Sequence, residues 1–279
     1  MPMVNRLPYE FVDSMIDPGL DTNVGLVPLS QYMSSNRHNG DNDNTHNLMK
    51  NMRWFKEGGK GPMLDDMVGR TRMELVIKGQ GRPDDFVKVW NFMCKNKNQL
   101  DTYRINVGYR PRSNRSEFIV QKHGTVYDLY FKNHSDATAL SMMVEDRFFG
   151  MDCIGFLANY LIEVGVWSEY QAYEPARWDR VFTQEVKSTN DVEALNLLLW
   201  KGHVAIVDWV WDYVDDRTVK VDICQCSRGG PQCNEHVYLQ KINSISSKGY
   251  QLYKVLGAGT PRMPVDEPMS IMRMPGLFW

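Results

Sequence analysis

A cysteine that opens a helix and a histidine that opens a strand are the two placements in this sequence that point to chemistry. Asp152-Cys153-Ile154-Gly155-Phe156-Leu157 puts Cys153 in the first turn of a helix read from Asp152 to about Val164. A thiolate there is favoured by unpaired backbone N–H groups and the positive end of the helix dipole, so the thiol is expected to ionise below the free value of about 8.5. Small Gly155 leaves room for close approach one turn on. Fifty residues later, Trp200-Lys201-Gly202-His203-Val204-Ala205-Ile206-Val207 places His203 at the head of a β-branched strand. An imidazole held there beside a helix N-terminus would take the thiol proton and return it to a leaving amine. Each residue also has a plainer reading. Cys153 would serve as a small buried apolar residue of a core helix, and His203 as a hydrogen-bonded strand-end histidine.

Taken together, Asp-Cys-x-Gly-Phe followed by Gly-His-Val-Ala-Ile-Val resembles the papain-like cysteine amidohydrolases of the NlpC and CHAP families, over about residues 145–230. Gly150 ahead of the Asp-Cys pair fits the NlpC-type approach, whereas Ile154 stands where that family commonly has Ser. The resemblance implies an α+β fold with the cysteine helix packed on an antiparallel sheet that carries the histidine. It also implies cleavage of amide bonds, most often in the peptide part of bacterial cell walls. A third residue, in these families His, Asn, Gln or an acid, orients the imidazole from the neighbouring strand.

Pairing arithmetic narrows that third residue. A hairpin turn centred on Asp215 or Asp216 sets position 203 opposite 227 to 229, and one centred near Val214 sets it opposite 225. Gln225 is the nearest polar residue and shares a strand face with Val219, Val221 and Ile223. Asp222, on the other face, is the alternative if a bulge shifts the register. The backbone N–H of Cys153 is the expected oxyanion donor. Tyr127, Tyr130, Phe148 and Phe149 are available to line a cleft, although aromatic residues at such positions more often belong to a core.

Other readings compete. Cys224, Cys226, Cys233 and His236 gather four soft ligands in a short stretch, which invites a structural zinc site or a non-enzymatic binding module. Their spacing is not that of the usual knuckles, so thiols or one loop-closing disulfide formed after export fit better. A toxin acting on a protein substrate by deamidation or acyl transfer would use the same Cys–His–Gln site.

The elements that position these residues set in after an irregular, polar N-terminal segment over 1–62. A small α+β region over 63–134 follows, with a strand at Glu74–Ile77, a turn at Gly79-Gln80-Gly81, a helix over Asp84–Lys95 and a strand at Tyr103–Tyr109. Phe118–Val120 and Val126–Phe131 flank His123-Gly124 as a hairpin would. The glycines lack the third member of a dinucleotide fingerprint, and no cofactor is expected. The catalytic region spans 135–256, beginning with a helix capped by Ser135 or Asp136. Residues 257–279 form a Pro-rich tail expected to lie extended on the surface.

Composition is that of a globular chain: 279 residues, 43% hydrophobic, 24% charged, with 32 basic against 34 acidic residues and a net charge of −2. That balance argues against a broadly basic nucleic-acid binder. The longest apolar stretch, Cys153–Trp167, is interrupted by Asn159 and Glu163 and is too short for a membrane span. Met1–Pro8 does not read as a signal peptide, so synthesis in the cytoplasm is expected, and five cysteines, an odd number, favour thiols. The expected function is a cysteine hydrolase cutting peptidoglycan, delivered as an antibacterial effector with a matching immunity protein or released as a phage-type lysin.

Overall fold

A computed structural model describes residues 6–16, 20–22, 25–27, 43–102, 104–109, 120–145, 151–168, 182, 184–227, 230–256 and 267–274. Helix α1 (Pro8–Ile16) comes first, then the hairpin β1 (Leu20–Thr22) and β2 (Gly25–Val27). Helices α2 (Asp43–Met52), α3 (Leu64–Val68), α4 (Arg70–Lys78), α5 (Pro83–Lys95) and α6 (Lys97–Leu100) follow. The hairpin β3 (Arg104–Tyr109) and β4 (Val120–Thr125) leads to α7 (Asp136–Glu145) and α8 (Cys153–Glu163). Strands β5 (Leu197–Trp200), β6 (His203–Asp215), β7 (Thr218–Ser227), β8 (Gly230–Ile245), β9 (Gln251–Leu256) and β10 (Ser270–Met272) complete the order. The chain is thus a mixture of helix and antiparallel sheet. Contacts divide it into two units, Met15–Asp152 and Met1–Ser14 with Cys153–Trp279.

The first of these is mainly helical. Pro83 starts α5, where its missing N–H costs nothing, and the Asp85 carboxylate accepts the Arg82 N–H at 3.1 Å. The helix then buries Phe86, Val89, Trp90 and Met93, and Trp90 stacks on Phe131 with ring centroids 5.8 Å apart. Ser135 caps α7 by accepting the Thr138 N–H at 3.2 Å. Three expectations change here. Glu74–Ile77 belongs to helix α4, because Met73, Val76 and Ile77 recur at helical spacing and all are buried. Gly79 ends that helix in the left-handed conformation (φ 75°), which glycine adopts without a Cβ clash. His123-Gly124 lies within β4, paired with β3, while Tyr127–Phe131 forms a single π-helical turn instead of a strand. The N-terminal stretch read as irregular contains α1 and α2, which bury Phe11, Val12, Leu48, Met49 and Met52. Most of the polar run over 34–44 lies outside the described residues.

The second unit is a six-stranded antiparallel sheet in the order β10-β5-β6-β7-β8-β9. Its ends meet where Tyr253 and Met269 exchange two backbone hydrogen bonds of 2.9 Å, closing the sheet on itself. Leu198, Trp200, Ala205, Val207, Val219, Val221, Ile223, Leu239, Val255 and Ile271 fill the interior. Residues 269–272, expected on the surface within the Pro-rich tail, are buried and supply β10. The Tyr253 side chain is fully buried and its hydroxyl donates to the Val186 carbonyl at 2.9 Å. Tyr253→Phe strands that carbonyl, and a loss of about 1–3 kcal/mol is expected in urea unfolding.

Helix α8 lies against β6 and β7. Its Phe156 and Tyr160 rings pack on Phe11 of α1, each at 5.6 Å, and the Tyr160 hydroxyl donates to the Arg6 carbonyl at 2.8 Å. At the other side of α1, the Tyr9 N–H donates to the Asp208 carboxylate at 2.9 Å, a charge placed at a helix N-terminus. Burial pushes the Asp208 carboxyl up to about 6. Residues 204–208 of β6 are buried without alternation, as a strand covered on both faces must be.

Candidate active site

The β5–β6 hairpin turns in two residues, Lys201-Gly202. Gly202 takes φ 83°, a left-handed conformation that lets the tight turn set His203 directly opposite Trp200. The two rings lie 5.6 Å apart. His203 has the same strand parity as Ala205 and Val207 of the interior. As the first residue of β6 it sits half-buried, at the edge of that core.

Gln225 comes to His203 by register. Asp216-Arg217 form the β6–β7 turn, and three register shifts leave Asp208, Trp211 and Val214 as extra residues on β6. The ladder therefore sets Ala205 opposite Gln225, and by continuation His203 level with position 227. Gln225 reaches the imidazole along the diagonal, a separation that long side chains span. Ala205, directly opposite, presents only a methyl group and leaves the diagonal open. The result is a hydrogen bond of 2.6 Å between His203 Nε2 and Gln225 Oε1. Gln225 Nε2 in turn donates to Asn234 Oδ1 at 2.7 Å. An amide oxygen only accepts, so Nε2 of the neutral ring carries the proton and Nδ1 holds the lone pair. Burial holds the His203 imidazole below its ordinary range, opposed by the Gln225 hydrogen bond and by the charge of exposed Glu267.

Asp222 is engaged elsewhere. Its Oδ1 accepts the His236 N–H at 2.7 Å and fixes a β8 residue that sits in the left-handed region (φ 57°). The Cys224–Cys233 pair is a disulfide, which removes two members of the proposed zinc quartet. Among the described residues no cluster of His, Cys, Asp and Glu is arranged to hold a metal ion. Cys153, half-buried, heads α8, and the helix packs on the two strands that carry His203 and Gln225. Direct side-chain bonds join His203, Gln225 and Asn234, while Cys153 is related to them through that packing of elements. Tyr127 and Tyr130 belong to the other unit, and Phe148 and Phe149 lie outside the described residues.

Reading the sequence missed Asn234 and Trp200. The signal for Asn234 is the alternation Gln232-Cys233-Asn234, which mirrors Cys224-Gln225-Cys226 across the hairpin: Gln225 pairs with Gln232, and Cys224 with Cys233. The disulfide thus sits on the rung beside Gln225. Closing so short a loop, nine residues in sequence, restricts the unfolded chain by about 2–3 kcal/mol in the chain-entropy model. Reduction, or the double change Cys224→Ala/Cys233→Ala, is expected to lower the thermal midpoint accordingly.

No family model, curated protein or solved structure matches the chain.

Proposed function

We propose that the chain is a papain-like cysteine amidohydrolase of the NlpC and CHAP type that cleaves amide bonds in bacterial peptidoglycan. The observation that carries the reading is the 2.6 Å bond from His203 Nε2 to Gln225 Oε1, because it leaves Nδ1 as a base on a ring held at one angle. In the proposed reaction Nδ1 takes the proton of Cys153 Sγ as sulfur attacks the carbonyl carbon. The oxyanion accepts from the Cys153 backbone N–H. Nδ1 returns the proton to the leaving nitrogen, the C–N bond breaks and a thioester remains. Water then adds with the same base and releases the acid and the thiol. The disulfide supports action in an oxidising place outside the cytoplasm, as for an exported antibacterial effector or a phage-type lysin. An effector of this kind requires an immunity protein in its producer, seated over the site.

The test is digestion of purified sacculi by wild type and by Cys153→Ala, with mass spectrometry of released muropeptides. New fragments from wild type alone support the reading and name the bond. Silence from both, with Cys153 alkylating no faster than Cys94 or Cys226, overturns it. Silence with a hyper-reactive Cys153 moves the substrate to a protein amide. Proximity is tested separately with dibromoacetone, which bridges a thiolate and an adjacent imidazole and should link the Cys153 and His203 peptides.

A further inference from the structure

We infer that Asn234 is a positioning residue that fixes the tautomer of His203 by fixing the amide of Gln225. The inference rests on the hydrolytic reading for its catalytic meaning, but not for its geometry. Gln225 is fully buried, so both ends of its amide need partners inside the protein. Its oxygen meets His203 at 2.6 Å and its nitrogen meets Asn234 Oδ1 at 2.7 Å. These contacts are two successive diagonals across β6, β7 and β8, since Gln225 is opposite Ala205 on one side and Gln232 on the other. Gln232 Nε2 points at the same Asn234 oxygen from 3.5 Å, so two amide N–H donors converge on that atom. An acceptor at this point leaves Gln225 one orientation, NH2 toward Asn234 and C=O toward the imidazole.

Without that acceptor the orientation is lost. A buried NH2 with nothing to donate to is unfavourable, and a half-turn of the amide presents it to His203 Nε2. That nitrogen would then have to accept, and its proton would move to Nδ1, the position that serves as base. Asn234 is thus two bonds removed from the reacting atoms yet decides which ring nitrogen holds the lone pair.

The test is long-range proton–nitrogen NMR on the full chain, which reads the His203 tautomer directly. Wild type is expected to show the Nε2–H form. Asn234→Leu should shift His203 toward Nδ1–H and lower kcat/KM by about tenfold to a hundredfold through kcat, with KM unchanged. Asn234→Asp keeps an acceptor and should retain the Nε2–H form. A folded Asn234→Leu protein with an unchanged tautomer overturns the inference. So does an Asn234→Asp protein that loses the Nε2–H form, which covers the case in which the leucine variant fails to fold. Because the tautomer is read without substrate, failure of the hydrolytic reading shows instead as wild type with the Nε2–H ring and no activity.

Discussion

Cys153→Ala and His203→Ala are each expected to lower kcat/KM for muropeptide cleavage by about ten-thousandfold or more, and the double variant by no more than either alone. The equality follows from the proposed chemistry. A thiol without its base is only weakly ionised at neutral pH, and a base without the thiol has no nucleophile to activate, so removing the second partner removes nothing further. A ten-thousandfold loss corresponds to about 5.5 kcal/mol of transition-state stabilisation. The structural cost of the two changes differs. Alanine suits the first turn of α8 and replaces a half-buried thiol, so Cys153→Ala should unfold near the wild-type midpoint. His203→Ala leaves Gln225 Oε1 buried without its partner and should lose about 1–3 kcal/mol of stability. Urea unfolding of both variants, beside steady-state kinetics, separates chemistry from folding. Losses that multiply in the double variant would show that the two residues act independently, and the catalytic pair would be abandoned.

The parts of this site legible in the sequence are those set by local physics. The head of α8, the start of β6 at His203 and the alternation of β7 follow from capping, a β-branched run and period-two patterning, and each lies within a residue or two of where the pattern puts it. Register is different. Each extra residue at Asp208, Trp211 and Val214 moves the pairing by one, and nothing in a sequence read at period two marks a bulge. Gln225 meets His203 because of all three shifts acting together, over a diagonal that the small Ala205 leaves open. Glu74-Leu75-Val76-Ile77 reads as a strand for a related reason. Four residues cannot distinguish the two periods, and only the wider window from Met73 to Gly79 reveals helical spacing and an αL stop. The tail was opaque because β10 is defined by a distant partner: Met269 bonds Tyr253, and Ser270–Met272 pair with Leu197–Leu199. Asn234 depends on two strand registers in succession, so the alternation Gln232-Cys233-Asn234 points to it only once Gln225 is known to pair with Gln232.

The pH profile separates Gln225 from Asp222 as the residue that orients the imidazole. Burial lowers the His203 pKa in the folded protein, so the acidic limb of kcat/KM should fall below the ordinary value of about 6.5. Gln225→Glu puts a carboxylate at the Nε2 end of the ring, favours imidazolium and should raise that limb by about one to three pH units. Stability changes sign with it. In wild type the unfolded chain binds the His203 proton more readily, so this group's contribution is complete above about pH 6.5 and is lost as pH falls toward the lower folded value. In the glutamate variant the folded value lies above the unfolded one, so the pair's contribution is complete below about pH 6.5 and is lost as pH rises through the folded value. Urea unfolding at about pH 5 and about pH 8 should therefore show opposite trends for the His203 contribution in the two proteins. Asp222→Asn leaves the limb in place, because Asp222 serves the His236 N–H. A limb that moved with Asp222→Asn and stayed fixed with Gln225→Glu would transfer the orienting role to the carboxylate, and with it the stabilisation of the imidazolium that a neutral glutamine does not supply.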